Sequence, residues 1–446
     1  MIKYINNNSF HLLEQKLKKI NTVKELKFFY LSLFKKFKHL NSKYKFSSTL
    51  KFSYISNQIN NIDLKKKNIF FGIPFGIKDI FNTKFLKTEF GSAIFKNFFP
   101  GNNSRLVDII NAKQGIIFCK TTTAEFAVHY FPERKTLNPF NKNHITGTSS
   151  AGSAVAVACG ALPVSLATQT AGSIIRPASF CGVIGFKPSF GALDRTGVLK
   201  TSDTLDTVGL FSSDINCLKK IFTNLIQFSN EYPYSINFLK KKKIKKKLNI
   251  GIISEVFNYY KFYDNNIICD FNYFYSYYLN KFNIIKNQDF KFINQVHPHH
   301  ENIYCKSLSY YFKYLGNKKK KISAIMKTMI DKGEKISVEQ YLASCHAQKI
   351  LTKKFELMMK DYDFLITPST ASVAPRIGCI EKEDTSLIWN FFGAPTISLP
   401  FFFDEEKKLP FGLQIISSRY NDFSLLKFSE LIIKSLHSKH RTKIIF

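Results

Sequence analysis

The sequence predicts an α/β fold built on one large, mixed and mostly buried central sheet covered by helices. Two observations carry this. Short uncharged apolar runs of strand length recur along the chain, and segments with helical spacing lie between many of them. With 446 residues, 45% of them hydrophobic, the chain is also long enough to bury a sizeable core. We read residues 1–446 as a single domain, with an N-terminal helical segment over 1–60 and a variable substrate-region insertion over about 240–358.

Residues 9–45 alternate Leu, Phe and Lys at helical spacing, which predicts one or two amphipathic surface helices packed on the body of the same chain. IFFGIPFGIKDIF (69–81) reads as strand and turn, 103–114 as helix, and GIIFCK (115–120) as a buried strand. TTAEFAVHY (122–130) has a capping pattern from Thr122 to Glu125 and predicts a helix. Residues 150–161 predict a helix lined by Ala and Val, LPVSLATQT a strand running into a turn, and CGVIGFKPSFG (181–191) a strand and loop. LNIGIIS, 360–370, 394–403 and 409–417 add strands, and 424–437 closes the chain as a helix. KKKKIKKK (240–247) reads as a solvated linker, and 256–318 is rich in Phe and Tyr but poor in motifs.

The formal net charge is +33, from 65 Lys plus Arg against 32 Asp plus Glu. A polyanion or membrane-surface partner is one explanation. The joint abundance of Lys, Asn, Ile, Phe and Tyr, all with AT-rich codons, is explained better by drifted base composition. Tight association with tRNA or other nucleic acid is therefore not expected. The eight cysteines are scattered, with no CxxC pair, so neither a disulfide framework nor a zinc site is expected. There is no HExxH motif and no clustered carboxylate pair, so no metal and no cofactor is expected. The N-terminus lacks a secretory h-region, and no apolar run is long enough to span a membrane; a soluble, cytoplasmic protein is expected.

GTSSAGSAVAVACGALPVSLATQTAGSIIRP (147–177) is rich in Gly and Ser yet threaded with apolar residues, and Arg176 is its only charged side chain. It has no Walker lysine, no GxSxG elbow and no histidine nearer in sequence than His129 and His144. Serine plus a basic partner is what remains. A hydroxyl is a poor nucleophile until its proton is removed, and a lysine removes it only when neutral. Lys78 stands in the compact apolar context GIPFGIKDI, whereas most other lysines lie in polar runs.

These segments resemble the amidase signature family over residues 69–210 and again over 360–435. GIPFGIKD resembles its lysine motif, GTSSAGSAVAVACG its Gly/Ser-rich motif, and TQTAGSIIRPASFCGVIGFKPSFG the segment with its nucleophile; LDTVG, GAPTISLP and GLQII also match. The resemblance implies an amidohydrolase with a Ser-Ser-Lys triad: Ser173 as nucleophile, Ser149 as bridging acid/base and Lys78 as general base. It also implies a cis bond between Thr148 and Ser149. The turn TQTAGS is expected to aim backbone N–H groups of Thr170, Ala171, Gly172 and Ser173 at the oxyanion. The absence of acids from 147–177 is expected to keep a charge partner away from Lys78.

Within the family, the A subunit of the tRNA-dependent amidotransferase usually carries TDTGGSIRxP. Here Gln169 replaces the aspartate, Ala171 a glycine, and Arg176 lies one residue later. That favours a stand-alone enzyme acting on a small-molecule or acyl amide without an obligatory protein partner, and leaves a homodimer open. The amidotransferase component is the alternative; a third is a non-catalytic polyanion- or membrane-binding protein on the same scaffold.

Overall fold

The computed structural model describes residues 9–128, 136–147, 149–226, 239, 247–253, 263–279, 282–286, 290–315, 321–379 and 381–437. Among these, eleven strands form one mixed sheet. They are β1 (Ser47–Thr49), β2 (Pro74–Lys78), β3 (Ile116–Thr121), β4 (Val164–Gln169), β5 (Ile184–Lys187), β6 (Thr207–Ser212), β7 (Asn249–Ile252), β8 (Asn283–Lys286), β9 (Phe364–Pro368), β10 (Thr396–Asp404) and β11 (Leu409–Ile416). Their spatial order is β1-β3-β2-β4-β6-β5-β10-β11-β9-β7-β8. β2 runs parallel to both β3 and β4, and β7 runs parallel to β8 and β9; the remaining pairs are antiparallel.

Every residue of β2, β3, β4, β5, β6, β9 and β11 is buried. A strand covered on both faces needs no polar alternation, and these segments accordingly read as continuous apolar runs.

The helices, in chain order, are α1 (Ser9–Lys18), α2 (Val23–Tyr44), α3 (Phe52–Asn60), α4 (Arg105–Ala112), α5 (Ala151–Ala158), α6 (Ile175–Cys181) and α7 (Ile215–Leu225). Then follow α8 (Asn265–Tyr278), α9 (Val296–Tyr311), α10 (Ala324–Lys335), α11 (Val338–Met358), α12 (Ser386–Phe391) and α13 (Asp422–His437). The N-terminal pair packs on its own chain, as expected: α2 opens on a Thr22–Glu25 capping box, buries Leu26, Tyr30 and Phe37, and Tyr30 donates to the Gly72 carbonyl at 2.7 Å. No described helix is long and apolar enough to cross a membrane.

The helix expected over 122–130 is corrected. Among the described residues of this segment, 122–128, only a single 3₁₀ turn forms, Glu125–Ala127, and Phe126 (φ 49°) and Ala127 (φ 59°) are both left-handed. The capping pattern has other partners. The Glu125 carboxylate accepts from Ser92 Oγ and Ser323 N, while Thr122 Oγ1 pairs with Thr136 Oγ1. Tertiary bonds therefore take the groups that would have started a helix. His129, the 240–246 part of the lysine run and residues 254–262 lie outside the described residues.

Candidate active site

Strands β2 and β4 lie side by side and parallel, so Lys78 and Gln169 end at the same edge of the sheet. Carboxyl ends of parallel strands are where α/β sheets open to ligands. The chain then turns from β4 into α6, and Ser173 sits in that turn. The preceding helix, α5, starts directly after Ser149 and Ser150 and buries Gly152 to Val157. Small side chains allow this approach: a Cβ on Gly152 would stand 2.4 Å from Thr122 N and 2.6 Å from Phe46 O. Gly147 has φ +93° and lies against Pro177, so it joins the Ser149 segment to α6 where another residue would clash.

Lys78 Nζ is fully buried and contacts three hydroxyls: Ser149 Oγ at 2.8 Å, Ser150 Oγ at 2.9 Å and Thr168 Oγ1 at 3.0 Å. Burial pulls its pKa down to about 7, and the nearby Asp206 carboxylate opposes that shift with a smaller effect. Ser150 Oγ donates its proton to the Thr168 carbonyl at 3.0 Å. Its hydrogen is therefore committed, which leaves the Ser149 hydroxyl as the serine able to donate toward a neutral Lys78.

Among the described residues two further lysines are fully buried, Lys120 and Lys187. Lys120 lies 3.6 Å from Asp79 and also donates to the Phe81 carbonyl, to Thr83 Oγ1 and to Thr88 Oγ1; burial lowers its pKa to about 8, and Asp79 opposes that shift. Lys187 ends β5, with β4 and β6 between it and the strand of Lys78, and donates to the carbonyl of Pro188 at 3.0 Å. Of the three, Lys78 is the one whose hydrogen-bond partners are hydroxyls alone.

Asp206 anchors the turn. It accepts from Thr170 Oγ1 at 2.7 Å, from Thr201 Oγ1 and Thr201 N at 2.7 Å, and from Ser202 N at 2.9 Å. The expectation that Lys78 has no charge partner is therefore corrected: the 147–177 segment has no acid, but LDTVG brings one alongside. Gln169 anchors the other end. Its Oε1 accepts from Ile174 N at 2.8 Å and Ile175 N at 3.0 Å, just past Ser173. A Gln169→Leu variant leaves both buried N–H groups unpaired, and urea unfolding should show a loss of about 2–5 kcal/mol. A loss below about 1 kcal/mol would contradict this anchoring role.

Arg176 is clasped by Asp384 at 2.6 Å and Glu381 at 3.5 Å, so the one charge of the segment is neutralised outside the serine cluster. The N–H groups of Ala171 and Gly172 have no acceptor among the described residues. A cleft adjoins the site, lined among others by Ile80, Ala127, Thr168, Thr170, Lys200 and Asp206. The Thr148–Ser149 bond lies outside the described residues. Among the described residues no group of His, Cys, Asp and Glu is arranged to hold a metal ion.

The model of the Amidase family matches residues 31–426. The chain belongs to this family. It is 29% identical over 418 residues to the A subunit of the glutamyl-tRNA(Gln) amidotransferase of Borreliella burgdorferi, covering 82% of this chain and 84% of that protein. Among solved structures, an amidase superposes with a TM-score of 0.83 at 21% identity, covering 96% of this chain and 99% of that one. The A subunit of the Thermotoga maritima glutamyl-tRNA(Gln) amidotransferase superposes with a TM-score of 0.73 at 21% identity, covering 92% and 93%. The large mixed sheet covered by helices is thus the fold of this family, and the chain is an amidase-signature hydrolase.

The structure brings Lys78 and Ser149 into contact, as the motifs implied. Sequence reasoning missed Ser150 and Thr168 as partners of Lys78, Asp206 as the acid of the turn, and His300, whose Nε2 reaches the Thr170 carbonyl. Asp206 carried a signal, because it stands inside LDTVG; His300 carried none.

Proposed function

We propose that this chain cleaves a carboxylic amide C–N bond through an acyl-enzyme on Ser173. The observation that carries the reading is the 2.8 Å contact between Ser149 Oγ and a fully buried Lys78 whose pKa burial brings to about 7. At neutral pH a large fraction of Lys78 is then an amine with a lone pair. Ser149 passes its proton to Lys78 Nζ and takes the proton of Ser173, whose oxygen attacks the amide carbon. The oxyanion is met by backbone N–H groups of the Thr170–Ser173 turn, with Ala171 and Gly172 as the donors that have no other acceptor among the described residues. The relay then returns the proton to the nitrogen, the C–N bond breaks, and ammonia or an amine leaves. Water enters, loses a proton along the same relay and releases the acid.

For the biological setting, the sequence relatives support the A subunit of an amidotransferase, releasing ammonia from an amide in concert with a partner. This goes against the expectation of a chain without an obligatory partner. The stand-alone reading is supported by Gln169, Ala171 and the displaced Arg176, which depart from the amidotransferase pattern. One experiment separates the two. Ammonia release from glutamine is measured for the purified chain alone, then with a cognate amidotransferase partner and glutamyl-tRNA(Gln). The amidotransferase reading expects weak activity alone, a clear rise when the partner is added, and amidated tRNA. Brisk turnover of simple amides by the chain alone, unchanged by the partner, would instead establish the stand-alone enzyme.

A further inference from the structure

The Thr170 carbonyl oxygen accepts two side-chain hydrogen bonds, from Asn390 Nδ2 at 2.6 Å and from His300 Nε2 at 2.9 Å. Neither donor comes from the segments that hold Lys78, Ser149 and Ser173. His300 stands on α9 and Asn390 on α12, and both are buried. Asn390 Nδ2 also donates to the Leu205 carbonyl at 3.0 Å. An amide group set between two carbonyls must turn its NH₂ toward them, which settles its orientation. A carbonyl only accepts, so His300 carries its proton on Nε2. Burial keeps the ring neutral by drawing its pKa down to about 4, against a smaller raising effect of the Thr170 bond.

We infer that His300 is a positioning residue for the oxyanion turn, acting with Asn390 on the Thr170–Ala171 peptide plane. In a trans peptide the C=O and the following N–H point in opposite directions. Two donors that pin the Thr170 carbonyl on one side therefore fix the Ala171 N–H on the other, where it has no acceptor among the described residues. The Thr170 side chain is pinned separately, by Asp206. The peptide is thus held at its carbonyl and at its side chain, and little reorganisation is needed when negative charge develops. A helix within the motif-poor 256–318 segment in this way supplies part of the catalytic framework. The inference rests on the acyl-enzyme reading above.

The test compares wild type, His300→Leu and His300→Gln in the second-order rate at which a fluorophosphonate labels Ser173, followed by intact mass and peptide mapping. Loss of a whole oxyanion donor costs about 10²–10³-fold, so a misaimed donor should cost roughly 10–10²-fold in His300→Leu. Gln places an N–H near the position of Nε2 and should restore the rate to within about 3-fold of wild type. A purely structural role predicts lowered thermal stability in both variants without this split. Labelling of His300→Leu at the wild-type rate, or no rescue by Gln, overturns the inference while leaving the acyl-enzyme reading intact. Wild-type label on a residue other than Ser173 overturns both. If His300→Leu does not fold, the structure of the wild-type adduct decides. The inference requires the phosphonyl oxygen within hydrogen-bond distance of Ala171 N while His300 still holds Thr170 O; a phosphonyl oxygen turned elsewhere refutes it.

Discussion

Ser173→Ala is expected to abolish amide turnover and fluorophosphonate labelling together, with the fold retained. The oxygen that would carry the acyl group is gone, and nothing nearby replaces it in the same geometry. Ser150 has its proton committed to the Thr168 carbonyl, and Ser149 is drawn toward Lys78. Two anchors of the turn lie at other side chains: Gln169 holds the N–H groups of Ile174 and Ile175, and Asp206 holds Thr170. Circular dichroism of the variant should show the wild-type fold. Turnover retained at more than about 1% of wild type, or label moving to a second serine, would remove Ser173 as nucleophile.

The next largest effect is expected at Lys78. Lys78→Met removes the proton acceptor while keeping much of the side-chain volume, and should lower kcat by about 10²–10⁴-fold, the range for a lost general base. KM should change little, because the amine faces Ser149, Ser150 and Thr168. A variant that raised KM and kept kcat would make Lys78 a binding group instead. The stability consequence has a definite sign. Burial lowers the folded-state pKa to about 7 from the usual lysine value, so folding expels a proton at neutral and mildly alkaline pH. The unfavourable contribution is complete below about pH 7 and fades as pH rises toward the ordinary lysine value. Removal of the amine should accordingly help stability more on the acid side of that pKa than near the ordinary lysine value.

How much of this was legible in the sequence depended on whether partners were neighbours in the chain. The strands were legible because the central sheet is covered on both faces, and doubly buried strands leave uncharged runs such as GIIFC and LPVSLATQT. Lys78 stood out because it is a lysine at the end of one of those runs. Ser149, the partner that the resemblance implied, lies on a neighbouring element, and the structure puts the two in contact. The false helix at 122–130 had the right spacing, but Glu125 is spent on Ser92 and on Ser323, the latter 198 residues further along the chain. Spacing cannot show such competition. Asp206 was visible as part of a motif, yet its role needed the turn that brings Thr170, Thr201 and Ser202 around it. His300 was illegible in a stretch dominated by Phe and Tyr, because only folding carries α9 to the Thr170 carbonyl.

The central claim is that a neutral Lys78 draws the proton from Ser173 through Ser149. It is tested most directly by the pH dependence of Ser173 acylation in the wild-type chain. Burial places the pKa of Lys78 at about 7, with Asp206 the acid whose charge opposes that shift. The acylation rate should therefore rise about 10-fold per pH unit below that value and level off above it. Lys78→Met should remove the inflection along with the rate. A wild-type rate that stays flat across the neutral range, or one that keeps climbing toward the ordinary lysine value, would contradict the account.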